Sequence, residues 1–324
     1  MELFLTHLKV NWKRKAIFEK FFRQKNKTSS NCLSKKTQTL DNNIQVNHHI
    51  RQRVFDKNIL ENHSLIMYFG QDELSYAVLD EAMNEIVFLK SYRLLQQLSS
   101  EQYARLIKQF LETEEHLKGN YIEVNIGISA AKNTLVPLAY YNKKHTKDYF
   151  AYNYGEPKDA ALFTDTVLAE SVVNIFALEN NITAHLKANF PKYSVKHAAT
   201  FLLNQILGEN RDEKVKKLFV NLQKHHADFV VAEGKKLLFY NQFSYQTADD
   251  LLYHIINIAQ QTGIDFALHT CVLLGDIDEN QPTYKLCNRY IEKMELGKRP
   301  ITKSYCKELD ILPENYHFNI FSVL

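Results

Sequence analysis

At 324 residues, with 45% apolar, 12% aromatic and 24% charged side chains, the chain has the makeup of a globular protein with one large core or two. No apolar run approaches the roughly 18 residues of a membrane-spanning helix, and the N-terminus lacks a secretory apolar stretch with a cleavage site, so a cytoplasmic protein is expected. Cys32, Cys271, Cys287 and Cys306 share no C-x-x-C spacing, which argues against a disulfide framework and a structural zinc site.

The net charge of +3 is unevenly spread. Residues 1–40 carry eight Lys and two Arg against Glu2 and Glu19, a net of +8, so the rest of the chain carries −5. A mildly acidic body does not suit a broad nucleic-acid surface. The basic head, with Leu3, Phe4, Leu8, Phe18, Phe21 and Phe22 among its cations, has the composition of a nucleic-acid or anionic-membrane arm. The plainer expectation is a disordered leader over residues 1–45, because residues 24–45 are rich in Asn, Lys, Ser and Thr and show little periodicity.

Order is expected from about residue 62. Three connected runs, residues 65–69, 74–79 and 85–92, read as a strand meander. Ser99 with Gln102 three residues later is a capping box, and Tyr103, Leu106, Ile107, Phe110, Leu111 and Leu117 fall on one helical face. Gly119 stands where a left-handed helix cap would end it, and residues 121–127 alternate as a strand returning parallel to the meander. Residues 162–168 and 172–178 read as inserted strands, and 181–189 and 197–207 as helices.

The same grammar then recurs. Residues 218–222, 227–232 and 237–243 are strands, Thr247 and Asp250 cap a helix closed by Gly263, and residues 268–274 return as a strand ended by Gly275. Residues 284–294 read as helical, and residues 316–324 are apolar enough to dock onto the body.

Three strands, a helix and a strand, given twice, is the order of two ribonuclease-H-like halves in an actin-like arrangement. The expected fold is therefore α/β with mixed sheets flanked by helices, the first half at residues 62–195 with inserted strands and the second at 196–324. The segments Thr134-Leu135-Val136-Pro137, Val173-Asn174-Ile175-Phe176, Asn189-Phe190-Pro191, Lys236-Leu237-Leu238-Phe239-Tyr240-Asn241-Gln242-Phe243 and Thr247-Ala248-Asp249-Asp250-Leu251-Leu252-Tyr253 resemble the bacterial domain-of-unknown-function family 3822. The resemblance spans about residues 62–300 and leaves out the leader. It implies an actin-like ATPase fold and carries over no activity.

An actin-type ATPase holds phosphates with two hairpin turns, each needing glycines for close backbone approach and an Asp for a metal-water cluster. The first turn here, Gly70-Gln71-Asp72-Glu73, has one glycine and two acids where anion repulsion is worst. The second, Asn221-Leu222-Gln223-Lys224-His225-His226, has no glycine and puts Asn221 at the Asp position. The adenine-side turn keeps one glycine, Gly275, followed by the acid Asp276. The expectation is a non-catalytic, partner-binding or scaffold protein with no cofactor, no metal and no catalytic residues. The cleft positions to test are Gly70, Asp72, Asn221, Gly275 and Asp276. The alternative is a divergent ATP-binding enzyme or ATP-driven switch, and the third reading an RNA-associated accessory factor using the basic leader.

The remaining candidates have ordinary readings. The pairs His48-His49 and His225-His226 alternate faces in a strand and cannot chelate one ion together, so they read as polar turns. Asp249 and Asp250 read as helix-capping acids. The run from Phe239 to Tyr245 reads as a core strand entering a loop, or else as a partner surface. Tyr140, Tyr141 and the tyrosines from Tyr149 to Tyr154, with Lys143, Lys144 and Lys147 between, are a second aromatic stretch, of a kind that can stack single-stranded nucleic acid.

Overall fold

The computed structural model describes residues 43–53, 55, 60–129, 132–167, 172–210 and 215–323. Residues 1–40, and with them most of the expected leader, lie outside the described residues. The described residues fall in one compact unit spanning 38–324.

In chain order the first elements are strands β1 (Ile44–Arg51), β2 (His63–Phe69), β3 (Glu73–Asp80) and β4 (Glu85–Leu94), helix α1 (Ser100–Thr113) and strand β5 (Val124–Ile128). β2, β3 and β4 are the antiparallel meander the sequence predicts, and β5 returns parallel to β2. α1 forms as its stripe dictates: Tyr103, Ala104, Leu106, Ile107, Phe110 and Leu111 are buried, and Ser99 and Gln102 satisfy each other's backbone N–H groups as a capping box. Each such large apolar side chain contributes about 1.5–3 kcal/mol on burial.

An inserted module follows, made of β6 (Asn133–Pro137), α2 (Thr146–Tyr154), β7 (Ala160–Val167) and β8 (Val172–Glu179). Its strands make a three-stranded sheet in the order β6-β8-β7 with a small core of Val136, Phe150, Val173 and Ile175. Then come α3 (Asn180–Asn189), β9 (Ser194–His197) and α4 (Ala198–Glu209).

The second half contributes β10 (Lys216–Leu222), β11 (His226–Glu233), β12 (Lys236–Ser244), α5 (Ala248–Thr262), β13 (Thr270–Gly275), the short helix α6 (Pro282–Cys287) and β14 (Met294–Leu296). Its sheet runs β12-β11-β10-β13-β14, with β13 parallel to β10 just as β5 is to β2. Thr247 and Asp250 form the expected capping box, and Gly263 ends the helix at φ 68° in the left-handed conformation.

The structure departs from the sequence reading in several places. α1 does not run on to Gly119: Glu114 is extended at ψ 112°, a 3₁₀ turn follows, and Gly119 has φ −78°. The cause is the Glu114 carboxylate, drawn inside by Lys90 at 2.9 Å and by the hydroxyls of Tyr76 and Tyr92. β1 lies in the stretch read as unstructured before residue 62 and pairs with β4; its alternation of Ile44, Val46 and Ile50 with polar residues is interrupted by His48, and the sequence reading does not pick it out. The helix expected over residues 284–294 stops at Cys287, because β14 pairs with β13 from residue 294.

The C-terminal segment, placed by sequence in the second half, returns to the first. β15 (Ser304–Tyr305) pairs with the start of β4, and helix α7 (Phe318–Ser322) buries Ile320 and Phe321 against Ile66 and Tyr68. Phe318 points the other way, into a cluster with Val230, Val272 and Leu274 of the second sheet. One short helix is thus cemented to both halves.

Candidate functional site

The two hairpin turns that face each other across the cleft are β2–β3, with Gly70, Gln71 and Asp72, and β10–β11, with Gln223, Lys224 and His225. They are in direct contact. Asp72 reaches from the first turn onto the second: one carboxylate oxygen accepts the backbone N–H of His225 at 2.9 Å and lies 3.1 Å from His226 Nδ1. Burial pushes the Asp72 carboxyl up, but the hydrogen bond and charge of His226 and the His225 N–H outweigh it, so it lies below the usual carboxylate range. The carboxylate of the chain itself therefore sits on a backbone N–H of the turn where a bound phosphate would make its contact. Around it, Tyr68 at the end of β2 donates to Gln223 Oε1 of the second turn at 3.1 Å, and Gln71 of the first turn pairs with Gln242 of β12 at 3.1 Å, so the two halves are also joined beside the turns.

Asn221, at the position of a metal-holding Asp, is fully buried. Its amide donates to Asp228 Oδ2 at 3.1 Å and to Asn319 Oδ1 of α7 at 2.7 Å. Asp228 in turn accepts from Tyr240, Gln223 and Gln242, a network in which burial, against these hydrogen bonds, leaves its carboxyl raised, while Asn221 Oδ1 is buried without a hydrogen-bond partner among the described residues. Gly70 closes the first turn through its N–H to Glu73 O at 2.8 Å, and a Cβ there would come within 2.6 Å of the Tyr68 ring. Gly275 has φ 88°, with its carbonyl accepting from Asn315 Nδ2 at 2.8 Å and its N–H donating to Asn315 O at 3.1 Å. Asp276 faces Arg93 across the cleft at 3.7 Å.

What remains of the cleft is a cavity of about 400 Å³ walled by Asp72, Glu73, Arg93, Lys224, Asp276 and His317, among others. Five positions singled out by sequence thus fall in one region, four of them in the turns and Asn221 behind them. Sequence reasoning missed the residues that close it: His317 and Asn319, polar positions within a segment noted only for its apolar character, and Asn315 just before that segment. Arg93 was missed as well. His317 sits at φ 59° and is buried, 3.6 Å from Glu73 and 2.9 Å from His48. His48, expected in a polar turn, lies in β1 and meets His317 edge-on; His226 is buried on Asp72.

These groups set a pH dependence. Burial, with the neighbouring His317, pushes His48 down from 6.5 to about 4. Burial lowers His317 too, but Glu73 and Asp276 outweigh it and leave it raised above 6.5. Between pH 4 and 6.5 the unfolded chain binds the proton that folded His48 refuses, so this term makes stability rise with pH. Above 6.5 the folded chain holds a proton on His317 that the unfolded chain releases, so stability falls as pH climbs through the folded value. Asp165, raised by burial to about 6, and Asp276 and Asp228, also raised by burial, oppose the acid limb between 3.8 and their folded values, while His49 and His116, lowered by burial, add to it. Urea midpoints measured from pH 4 to 9 are expected to decline as pH climbs above 6.5. His317→Gln flattens the alkaline side and His48→Gln the acid side; an alkaline decline that survives His317→Gln overturns the assignment.

The fold has counterparts. A family model described as "Protein of unknown function (DUF3822)" matches residues 51–294. A protein of Bacteroides thetaiotaomicron with an actin-like ATPase fold and unknown function is similar at TM-score 0.65 and 16% identity, covering 75% of this chain and 94% of that one. A structure described as the PilM-PilN type IV pilus biogenesis complex is similar at TM-score 0.56 and 13% identity, covering 81% of this chain and 97% of that one. At these identities the likeness is one of fold. No curated protein matches the chain. No helix among the described residues is long and apolar enough to cross a membrane.

Proposed function

The chain belongs to the DUF3822 family, and we propose that it is a non-catalytic member of the actin-like fold that works by holding a protein partner. The observation that carries this reading is Asp72: its carboxylate occupies the His225 N–H at 2.9 Å and joins the two turns that an ATPase keeps apart for the γ-phosphate. A nucleotide phosphate entering there displaces a buried, ionised carboxylate and meets Glu73 and Asp276 in the cavity wall. The backbone groups of the adenine-side turn are taken as well, by Asn315. The fold occurs elsewhere in a structure described as a two-protein complex, which supports a partner role here.

Mg-ATP tests the reading directly. At 5 mM it is expected to leave the thermal midpoint unchanged within a degree, since a ligand binding the folded state at 100 times its Kd adds about 2.7 kcal/mol of stability. A rise of several degrees favours the alternative, a divergent ATP-binding enzyme or switch.

A further inference from the structure

β12 is an outer strand of the second sheet, nine residues long, without proline, and none of its residues is fully buried. Its inner edge is paired with β11. At the end of that ladder the Tyr245 N–H donates to His225 O at 2.9 Å, which makes His226 and Ser244 a non-hydrogen-bonded pair. By alternation Tyr240, Gln242 and Ser244 turn their backbone N–H and C=O groups away from the sheet. Two of these groups are satisfied locally: the Gln242 N–H on Asn241 Oδ1 at 2.9 Å, and the Ser244 carbonyl by His254 Nε2 at 3.3 Å. The Tyr240 N–H and C=O, the Gln242 C=O and the Ser244 N–H meet no partner among the described residues.

Along this edge runs a cavity of about 420 Å³. Tyr240, Asn241 and Gln242 form one wall; Asn133, Thr134 and Leu135 of β6, itself the edge of the three-stranded sheet, form the other. Side-chain amides dominate the lining, and its one charge is Lys132, which stands over the Tyr154 ring with no carboxylate in ion-pair reach among the described residues. Exposed edges are commonly guarded by prolines, bulges or inward-pointing charges. Here the guards stand only at the entrance of the strand: Lys235 and Lys236, and the register shift at Leu238, where Phe239 pairs with Val231 and Leu237 with Ala232.

We propose that β12 takes up an acidic, extended segment of a partner polypeptide as an added strand, seated in the groove between β12 and β6. Backbone hydrogen bonds to Tyr240, Gln242 and Ser244 supply affinity, the amide-lined walls contact peptide groups, and Lys132 and Lys236 select acidic side chains. The chain's own residues 1–40, at net +8, have the wrong sign for this groove. The proposal rests on the partner-binding reading above, and the two fail separately: Mg-ATP stabilisation overturns that reading whatever the edge binds.

The test is a display library of random ten-residue peptides selected on the full chain, followed by fluorescence anisotropy with synthetic versions of the winners. Enrichment of Asp and Glu is expected. Binding should fall at least tenfold when alternate peptide nitrogens are methylated in one register and hold when they are methylated in the other. Ser244→Pro removes an outward N–H and leaves the β11 ladder intact, so it should keep its urea midpoint and lose tenfold in binding. Lys132→Glu should reverse the charge preference. No selected binder, binders indifferent to N-methylation and to Ser244→Pro, or binders without acidic bias overturn the proposal. So does a dimer seen by sedimentation and lost in Ser244→Pro, which assigns the edge to a second copy.

Discussion

Replacing Asp72 by Ala is expected to destabilise the protein by about 3 kcal/mol, in the range found when one partner of a buried charged pair is removed. Asp72 is buried at 7% exposure, and its carboxylate meets both the His225 N–H and the His226 Nδ1, which have no other partner among the described residues. Alanine leaves both donors without this acceptor, and unpaired buried donors cost more than the hydrogen bond itself contributes. Asp72→Asn keeps an acceptor for the His225 N–H and loses the ionised group, so its cost should be nearer 1–2 kcal/mol. The contact spans two halves of the chain, so the loss should appear as cooperative weakening with faster hydrogen exchange in both turns. Guanidinium unfolding of Asp72→Ala, His226→Ala and the double variant measures it. A coupling energy of at least about 1 kcal/mol is expected between the two side chains, and strict additivity would show that the contact is incidental.

How far the sequence revealed this site depended on the type of interaction. The capping boxes at Ser99 and Thr247, the stripe of α1 and the parallel return strands were legible because each is written within a few residues of itself. The Asp72 contact was not, because its partners stand 153 and 154 positions away, at His225 and His226, and no local pattern links them. Asp72 was read as a charge that repels an anion; in the structure its own carboxylate is held by the second turn. The end of α1, expected at Gly119, was misplaced for the same reason, since Glu114 is pulled out of helical geometry by tyrosines and a lysine from β3 and β4. The C-terminal segment was read for its apolar residues alone. Phe318 and Ile320 do dock, but Asn315 and Asn319 carry the contacts to the cleft.

Gly275→Ala is the substitution expected to cost most among the cleft positions, at least about 3 kcal/mol. Gly275 has φ 88°, a conformation alanine adopts only under strain, and an added Cβ would stand 2.1 Å from Leu222 O. That oxygen is backbone in the adjacent strand, where Leu222 pairs with Gly275, so no side chain can swing away to make room. Relief requires β10 and β13 to separate at the end that carries the cleft. The movement must also loosen Asn315, whose amide bonds Gly275 O at 2.8 Å and Ile277 O at 2.6 Å. Faster hydrogen exchange from Asn315 to Asn319 is therefore expected with the loss of stability, and Asn315→Ala should reproduce the exchange at a smaller cost of about 1–3 kcal/mol. Gly208→Ala serves as the contrast: it lies in α4 with no atom within 4 Å of the added carbon and should gain about 0.5–1 kcal/mol. If Gly275→Ala is tolerated as well as Gly208→Ala, the turn is not fixed by its neighbour strand, and the cleft is more open to a ligand than its geometry implies.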